Sequence, residues 1–417
     1  MALERIDRKN SLLQSSRIPE IWSTGVLGDG IPKSVSVCDN FRLPRRQLPA
    51  CDVPAAGKLH IAVQPEPLCF WRLKTEFRMA DFPSSTRFFL GLDLGGTNVK
   101  AGVVDESGTV ISACSLPTAA ILGPDTGVKQ IAAVGRQAVV AAKMTLNQIV
   151  AIGLATPGTM DIPGGMLLDP PNLPGWINYP IRDRVAAQLQ RPTILQNDAN
   201  AAAYGEYWAG SAKNVRSLLF YTLGTGLGGG VIVDDHIIEG EHSHGSELGH
   251  VILEMDDGRL CTSGQYGTAE AYVSATALLK RFRGALETNA VTSVRNRMAD
   301  GAELTPLLIA EEAEIGDQLS GELIMEMARY LGATITSAVH VIDPAMVLLG
   351  GAMTFGRNET AVGREFLHRV REEFRKRTFA TLAAKIRIEY AELGGNAGFI
   401  GAAGCARRAV DLGLLKG

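Results

Sequence analysis

The stretch Gly91–Lys100, GLDLGGTNVK, contains the residue types that a phosphate-binding turn requires. Apolar residues lead to Asp93, the glycines Gly95 and Gly96 follow, and after Thr97 an apolar run resumes, which predicts a strand, a glycine turn and a second strand. Glycines let the backbone approach an anion, and successive N–H groups in such a turn can form an anion-binding nest. A carboxylate would repel a phosphate without a cation between them, so Asp93 suggests Mg²⁺ carried by a nucleotide. An ordinary glycine hairpin remains the alternative.

A second candidate for chemistry is Asp198, which follows the apolar stretch Thr193–Gln196 and precedes the small-residue stretch Ala199–Trp208. A carboxylate between the end of a strand and the start of a helix is rigidly placed and can accept a proton from a hydroxyl nucleophile. Aspartate at this position also commonly caps the helix. The residues alone leave both roles open.

The elements that would position these residues repeat along the chain. The apolar stretch Leu218–Leu223 leads into the glycine-rich run Gly224–Gly230, and Val231–Val233 resumes an extended pattern. A strand, a glycine turn and a strand therefore occur twice, too far apart for a solenoid and suited to two similar α/β domains that face each other. Helical patterns follow, the longest over 317–340 and 355–376.

The bulk composition narrows the class of protein. The chain has 417 residues and a formal net charge of -3, which predicts two or three domains and gives no reason to expect nucleic acid or a membrane as partner. Its six cysteines show no framework spacing, which predicts a reducing cytoplasm. No apolar run of about 18 residues is present, and the N-terminus has no apolar segment of the kind that secretory signals contain.

Changes in composition and periodicity along the chain predict the domain organisation. Residues 1–86 are rich in Pro, Ser and Arg and show no sustained period, so we predict a disordered extension or a misplaced start, with Met79 as the candidate start. An N-terminal α/β domain is expected over 87–198, completed by a C-terminal helix over 397–413. A second α/β domain is expected over 199–396.

Seven motifs occur in an order that resembles one known family. They are GLDLGGTNVK, GLATPG, NDANAAAYGE, LGTGLGGGVI, GSELGH, LLGGAM and AELGGNAGFIGAA. Together, over about 87–417, they resemble the bacterial glucokinases of the ROK family. The resemblance implies an actin-like ATPase (ribonuclease H-like) fold, in which two similar α/β domains enclose a central cleft. It also implies ATP with Mg²⁺ and a hexose as partners, a homodimer and a cytoplasmic location.

The resemblance also implies roles for individual residues. Asp198 would be the general base, and Asp93 would contact the Mg²⁺ of the nucleotide. The residues implied for ATP and its phosphates are Asp93, Gly95, Gly96, Thr97, Thr225, Gly226, Gly350 and Gly351. The residues implied for sugar hydroxyls are Asn172, Asn197, Asp198, Glu247, His250 and Glu270.

Several of these residues have plainer interpretations. Asn172 could serve turn chemistry, Glu247 could be a surface charge, and Glu270 could be a charge in the first turn of a helix. The glycines Gly228–Gly230 could contact the nucleotide or could only permit close crossing of strands.

One departure from the family concerns zinc. The family commonly carries a loop of pattern Cys-x-Cys-Gly-x-x-Gly-Cys-x-Glu, whose three cysteines bind zinc with a histidine. In this chain Cys261 is kept, but Ser263 and Thr268 stand where the other two cysteines would be. Only His250 and Cys261 of the family ligands remain, so we expect no zinc. Hydrogen bonds from Ser263 and Thr268 would then hold the loop, which would leave Glu270 free for the sugar.

The expected activity is phosphorylation of a hexose at its 6-hydroxyl by ATP, with D-glucose as the first candidate. Kinases for fructose, mannose, N-acetylmannosamine or N-acetylglucosamine are alternatives, and polyphosphate remains open as a donor. A ROK-type transcriptional repressor is the alternative from another class. Residues 1–86 have the length of a DNA-binding domain but lack two apolar-periodic helices joined by a short turn. A sugar-binding protein without chemistry is disfavoured by Asp93 and Asp198.

Overall fold

The apolar runs of the sequence form strands in the computed structural model, which describes residues 86–118, 122–170 and 173–415. The predictions for residues 1–85 and for Asn172 fall outside these ranges. The strands of the described ranges are β1 (Phe88–Leu94), β2 (Asn98–Asp105), β3 (Val110–Pro117), β4 (Ile149–Thr156), β5 (Thr159–Asp161), β6 (Met166–Asp169), β7 (Thr193–Asn197), β8 (Ser217–Leu223), β9 (Leu227–Val233), β10 (His236–Ile237), β11 (Met346–Gly350) and β12 (Arg387–Tyr390).

The helices separate the strands into two groups. In the described ranges they are α1 (Pro124–Ala141), α2 (Ile181–Leu189), α3 (Asp198–Trp208), α4 (Ala275–Glu287), α5 (Val294–Ala299), α6 (Pro306–Glu314), α7 (Gln318–Ile342), α8 (Ala361–Arg377), α9 (Ala380–Lys385) and α10 (Ala397–Asp411). Short 3₁₀ turns occur at Leu146–Gln148, Leu248–His250, Ala269–Ala271 and Gly394–Asn396.

Two sheets share one topology. The first has the strand order β3-β2-β1-β4-β7 and the second the order β10-β9-β8-β11-β12. In each sheet the first three strands pair antiparallel, and the remaining two join in parallel. A glycine hairpin opens each sheet, β1–β2 in the first and β8–β9 in the second. The repetition predicted from the two glycine turns is therefore present in the fold.

The first sheet is covered on both faces. Apolar side chains of β1, β2 and β4 pack with α1 and α2 in one cluster, and Phe89 packs on the other face with Phe399 of α10. Helix α10 lies very close to the sheet, because a Cβ at Gly91 would stand 1.8 Å from the backbone oxygen of Phe399. A Cβ at Gly153 would stand equally close, 1.8 Å, to that of Ala402. The two glycines thus allow the last helix of the chain to lie on β1 and β4.

The second sheet buries the larger core. Its strands β8, β9 and β11 pack on one face against α4, α6, α7 and α8, with Phe282, Ile335 and Phe366 fully buried. The other face packs against Tyr204 of α3. Helix α3 also packs against α10, so these two helices lie between the sheets. The proposed division near residue 198 remains a prediction.

One helix begins later than its pattern predicts. The pattern over 355–376 indicated a continuous helix, but α8 begins at Ala361. Phe355, Gly356 and Arg357 all have left-handed backbone, with φ of 52°, 79° and 53°, so the helix cannot include them. The side chain of Thr360 then accepts the N–H of Gly363 and caps the helix. The hairpin β5–β6 and the short helices α5 and α9 are not predicted by the sequence pattern.

Two expectations from composition can be compared with the described ranges. No helix in them is long and apolar enough to cross a membrane. The cysteines in these ranges, Cys114, Cys261 and Cys405, are all reduced.

Candidate active site

A cavity of about 210 Å³ lies where strand ends from both sheets converge. Four of the residues selected from the sequence line it, namely Asp93, Asp198, Gly350 and Gly351. Asp93 comes from β1 of the first sheet and Gly350 ends β11 of the second. Parallel strands of α/β sheets commonly present their carboxyl ends to ligands. The repeated topology therefore explains why residues so distant in sequence meet here.

Asp198 is held rigidly at the start of α3 without serving as its cap. The cap is Asn197, whose Oδ1 accepts the backbone N–H groups of Ala199 at 2.9 Å and Asn200 at 3.1 Å. Asp198 is the first helical residue, and its Oδ1 accepts the N–H of Ala199 at 2.8 Å. Because capping is assigned to its neighbour, the carboxylate of Asp198 retains an oxygen that can face the cavity.

The electrostatic setting makes Asp198 a stronger base than an ordinary aspartate. Burial, the neighbouring charge of Asp93 and the charge of Glu247 together raise the pKa of Asp198 to about 7, against a lowering by the N–H of Ala199. Burial also raises the pKa of Asp93 to about 6, although the charge of Lys100 lowers it. A carboxylate with a pKa close to neutral is suited to accept and release a proton.

Two charged residues at the cavity were not selected from the sequence. Lys100 lies directly opposite Asp93 in the β1–β2 register, and its Nζ donates to the backbone oxygen of Gly395 at 2.7 Å. Glu206 is fully buried, and its Oε1 accepts the N–H of Leu393 at 2.7 Å. Lys100 ends the motif GLDLGGTNVK, so the hairpin pattern could have identified it. Glu206 ends the motif NDANAAAYGE, which marks the residue, but its contact with Leu393 could not have been found because that partner is far away in sequence.

The tips of the two glycine hairpins lie outside this cavity. In the first, the N–H of Gly95 bonds to the backbone oxygen of Asn98 at 2.9 Å, and Gly96 and Thr97 are exposed. In the second, Gly226 lies against Glu270, because a Cβ there would stand 2.3 Å from Glu270 Oε2. The contacts of both tips with phosphate stay a prediction.

The glycines Gly228–Gly230 lie inside β9 and not in the turn. A Cβ at Gly229 would stand 2.6 Å from the side chain of Leu248, and one at Gly230 would stand 2.5 Å from Cβ of Ala203 in α3. These distances favour the interpretation that the glycines permit close packing.

Of the residues predicted for the sugar, Asn197 and Glu247 are the ones that the described structure relates to Asp198. Glu247 acts on the pKa of Asp198 through its charge, and its Oε2 lies 4.0 Å from Nε2 of His250. Asn197 directly precedes Asp198 in the chain and therefore lies beside it. Both carboxylate oxygens of Glu270 accept a hydrogen bond. Oε1 accepts from the hydroxyl of Thr262 at 2.5 Å, and Oε2 accepts from the N–H of Leu227 at 3.1 Å. Each oxygen of Glu270 thus accepts one hydrogen bond and can accept another, so its contact with the sugar stays a prediction.

The loop that carries zinc in the family is held here by other contacts. Sγ of Cys261 lies 2.7 Å from Oγ of Ser263, and Nδ1 of His250 lies 2.9 Å from Oε1 of Gln265. Thr268 is fully buried, and its hydroxyl has no hydrogen-bond partner among the described residues. The expectation that the Thr268 hydroxyl bonds within the loop is wrong, because it meets no donor or acceptor among the described residues. The described ranges contain no group of three or more His, Cys, Asp or Glu arranged to hold a metal.

We expect protein purified without an affinity metal column to contain well under one zinc per chain. Serine and threonine hydroxyls stay protonated near neutral pH and are poor zinc ligands, so only His250 and Cys261 remain from the family set. Elemental analysis tests this, and treatment with a chelator should leave activity intact once Mg²⁺ is restored. One tightly held zinc per chain, with activity lost on its removal, would contradict the prediction, with His242 and His244 as the first donors to examine.

The donor set of the small cavity fits magnesium better than zinc. Asp93 and Asp198 both line the cavity, and carboxylate oxygens are the ligands that Mg²⁺ prefers. Magnesium is usually held by one or two carboxylates together with substrate phosphates and waters, so a dedicated cage is not needed.

A larger cavity of about 680 Å³ adjoins the second hairpin. Its walls are mainly apolar and include Pro306, Leu307, Met353 and Phe355, while Thr225 lies at its edge. Apolar cavities of this size with a few polar groups commonly receive small molecules.

The described chain matches one family and several curated proteins. The ROK family model matches residues 89–409. Glucokinase of Streptomyces coelicolor is 32% identical over 330 residues, which covers 76% of this chain and 97% of that protein. The xylose repressor of Caldicellulosiruptor bescii is 30% identical over 255 residues, which covers 60% of this chain and 61% of the repressor.

Solved structures of ROK family enzymes are also similar to this chain. A ROK hexokinase from Thermus thermophilus has 31% identity and a TM-score of 0.66, with 78% of this chain and 99% of that chain covered. A ROK family glucokinase from Streptomyces griseus, solved with glucose and AMPPNP, has 30% identity and a TM-score of 0.63, with coverage of 77% and 99%.

Proposed function

The chain belongs to the ROK family, and from this premise we propose that it is a sugar kinase that transfers a phosphoryl group from ATP to the 6-hydroxyl of a hexose. The family resemblance and the actin-like ATPase fold, expected from the motifs, are confirmed. D-glucose is the first candidate substrate, which is supported by the glucokinase relatives. The observation that carries the proposal is the carboxylate of Asp198, whose pKa is raised to about 7 and which lines, together with Asp93, a cavity between the two sheets.

The proposed reaction uses Asp198 as the general base. The oxygen of the sugar hydroxyl forms a bond to the γ-phosphorus of ATP, the bond from that phosphorus to the β,γ-bridging oxygen breaks, and ADP leaves. The hydroxyl proton passes to the carboxylate of Asp198. Positioning and charge stabilisation supply most of the rate in such transfers, and α3 fixes the base because its first turn is capped by Asn197.

Charge at the phosphates would be balanced by two groups. Magnesium bound with ATP would neutralise part of the phosphate charge, and Asp93 is its proposed protein ligand. Lys100 is the proposed protein cation, since it lines the same cavity and is held through Gly395. The hairpin residues Gly96, Thr97, Thr225 and Gly226 are proposed to contact the phosphates through their backbone. The N–H of Gly95 is bonded to Asn98, so Gly95 is proposed to let the turn approach the phosphates closely.

The nucleoside is proposed to extend toward the larger cavity. Gly351 lines the small cavity, and the next residue, Ala352, lines the large one, so a ligand that passes Gly350 and Gly351 would reach apolar walls. Polyphosphate stays an alternative donor, because another cavity, which shares Gly351, Gly394 and Gly395 with the small one, is lined by Arg357.

A coupled assay of ADP release over a panel of sugars tests the proposal. The panel should contain glucose, mannose, fructose, N-acetylmannosamine and N-acetylglucosamine, each with ATP and with polyphosphate. We expect the highest kcat/KM with glucose and ATP, because a pocket that pairs every hydroxyl discriminates strongly against analogues. Turnover with a sugar other than glucose alone would support a kinase with a different substrate. No turnover with any combination of sugar and donor would contradict the proposal.

A ROK repressor is the second candidate function, because the xylose repressor matches part of this chain. Asp198 and Asp93 favour the kinase, since a repressor needs neither a base nor a metal ligand. A gel-shift assay against genomic fragments decides between them, with sugar-dependent retention of specific fragments expected only of a repressor.

We expect kcat/KM for the hexose to fall about tenfold for each pH unit below about 7. The base must be deprotonated to accept the hydroxyl proton, and burial and Asp93 raise the pKa of Asp198 to about 7. A pH profile of kcat/KM reports the unliganded enzyme and is the suitable measurement. A profile that is flat down to pH 5 would contradict the role of Asp198.

A further inference from the structure

A third cavity lies beside the loop that carries zinc in the family. It has a volume of about 290 Å³ and is lined by the three basic residues Arg259, Lys280 and Arg281. Cys261, Thr262 and Glu270 belong to the same wall. This volume is at the lower limit of the roughly 300–1,000 Å³ typical of small-molecule sites. Three positively charged side chains around one small cavity indicate a negatively charged ligand.

The guanidinium groups in this wall are incompletely paired. Glu326 of α7 accepts from Nη2 of Arg259 at 3.2 Å and also from Nη2 of Arg281. Nη1 of each arginine is buried, has no hydrogen-bond partner among the described residues and is closed off from the cavity, so the other guanidinium nitrogens would have to meet a ligand. Burial lowers the pKa of Arg281, and the charge of Arg259 adds to this against the opposing effect of Glu326. One carboxylate thus serves two guanidinium groups.

Lys280 adds a third cation. It lies one turn into α4 and is exposed, and within the described ranges its Nζ makes no hydrogen bond or ion pair. The first N–H groups of α4 do not contribute, because that of Ala275 bonds to Gly224 and that of Ala277 to Ser274. Recognition in this cavity would therefore depend on side-chain cations and not on the helix end.

We propose that this cavity is a binding site for a small oxyanion of the phosphate or phosphate-monoester class. Arginine and lysine are the side chains that bind phosphate oxygens, the former through its fork of N–H donors and the latter as a point charge. A tetrahedral anion would pair with Lys280 and add negative charge beside three cations that Glu326 and Glu270 balance only in part.

The site is distinct from the cleft described above. Asp93, Lys100, Asp198, Glu247 and His250 do not line it. Glu270 lines this cavity and is also one of the residues predicted for the sugar, and its oxygens are bonded to Thr262 and to Leu227. Occupancy of the cavity would thus act on the residue that supports the second glycine hairpin. The proposal goes beyond the kinase reaction, because binding is measured without turnover.

Titration calorimetry with inorganic phosphate, in the presence of a saturating non-hydrolysable ATP analogue and Mg²⁺, tests the site. Lys280→Ala removes one cation from an exposed position and leaves the Glu326 contacts in place. Lys129→Ala, on the exposed side of α1, is the matched control. Glu326→Gln removes the competing charge and keeps an oxygen acceptor for one of the two arginines. A parallel titration with glycerol phosphate distinguishes a monoester from free phosphate as the preferred ligand.

We expect phosphate to bind at about one per chain, at least about threefold more weakly in Lys280→Ala and at least about threefold more tightly in Glu326→Gln, as expected for single charge pairs. Lys129→Ala should bind as the unmodified protein does. We expect a dissociation constant of roughly 1 mM or lower. The proposal is overturned if no binding is detected at a phosphate concentration of about 10 mM. It is also overturned if both lysine variants bind equally. If the kinase assay fails but this pattern is found, the site stands without the proposed function.

Discussion

Replacement of Asp198 by asparagine is expected to lower kcat by about 10²–10⁴-fold, the usual range for loss of a general base. Asparagine keeps the size of the side chain and can still accept the N–H of Ala199, but it cannot take a proton at neutral pH. We expect the dissociation constant for the sugar to change only modestly. Steady-state kinetics combined with direct sugar binding separates the two effects.

Stability provides a readout that separates lost chemistry from lost folding. The pKa of Asp198 is raised to about 7 in the folded protein, so the folded state binds the proton more tightly than the unfolded state does. Stability from this group is therefore present at low pH and is lost as pH rises toward 7. Asp198→Asn removes this loss, so its thermal midpoint should exceed that of the unmodified protein at pH 8 but not at pH 4.

The matched control for this variant is Asp300→Asn. Asp300 is exposed at the end of α5, and its replacement should change neither kcat nor the thermal midpoint. If Asp198→Asn retained more than about a tenth of the original kcat, the carboxylate would not be the base. A low kcat together with a lower thermal midpoint at pH 8 would indicate structural damage.

The second large effect is expected for Gly401→Ala. A Cβ at Gly401 in α10 would stand 1.6 Å from the backbone oxygen of Ala201 in α3 and 2.8 Å from the backbone nitrogen of Gly205. These are backbone atoms of a packed helix, so the two helices would have to separate. Overpacking usually costs about 1–3 kcal/mol, and we expect a loss of more than about 3 kcal/mol here, because no side chain can move aside.

The consequence for activity follows from what these helices carry. Asp198 begins α3, and Gly398 of α10 lies against Asp93, since a Cβ there would stand 2.3 Å from its Oδ2. Thermal unfolding followed by circular dichroism, with Gly284→Ala as control, measures the effect. Gly284 is in α4 and a Cβ there meets nothing within 4 Å, so alanine should stabilise it by about 0.5–1 kcal/mol. Equal midpoints for the two variants would contradict the described α3–α10 packing.

Local patterns predicted the elements well. The β1–β2 hairpin, the position of Asp198 between β7 and α3, and the long helix α7 all follow from apolar periodicity and glycine placement. Lys100 could also have been selected, because residues opposite each other in a hairpin share one face. These features depend on neighbours in sequence, which a single chain displays directly.

What the sequence could not reveal depends on distant partners. Asn197 and Asp198 are both good caps, and only the helix geometry assigns the cap to Asn197. The buried Glu206 accepts a hydrogen bond from Leu393, and Glu270 accepts hydrogen bonds from Thr262 and Leu227. No period or spacing encodes such contacts, because they arise when separate elements pack.

The measurement that tests the central claim most directly is phosphorus-31 NMR of the protein incubated with ATP, Mg²⁺ and D-glucose. We predict loss of the ATP γ-phosphate signal and the appearance, in equal amount, of ADP and of a sugar phosphate whose phosphorus couples to the two protons on carbon 6. The same incubation with Asp198→Asn should show almost no change. Unchanged ATP with the unmodified protein, or ADP and inorganic phosphate without any sugar phosphate, would contradict the account.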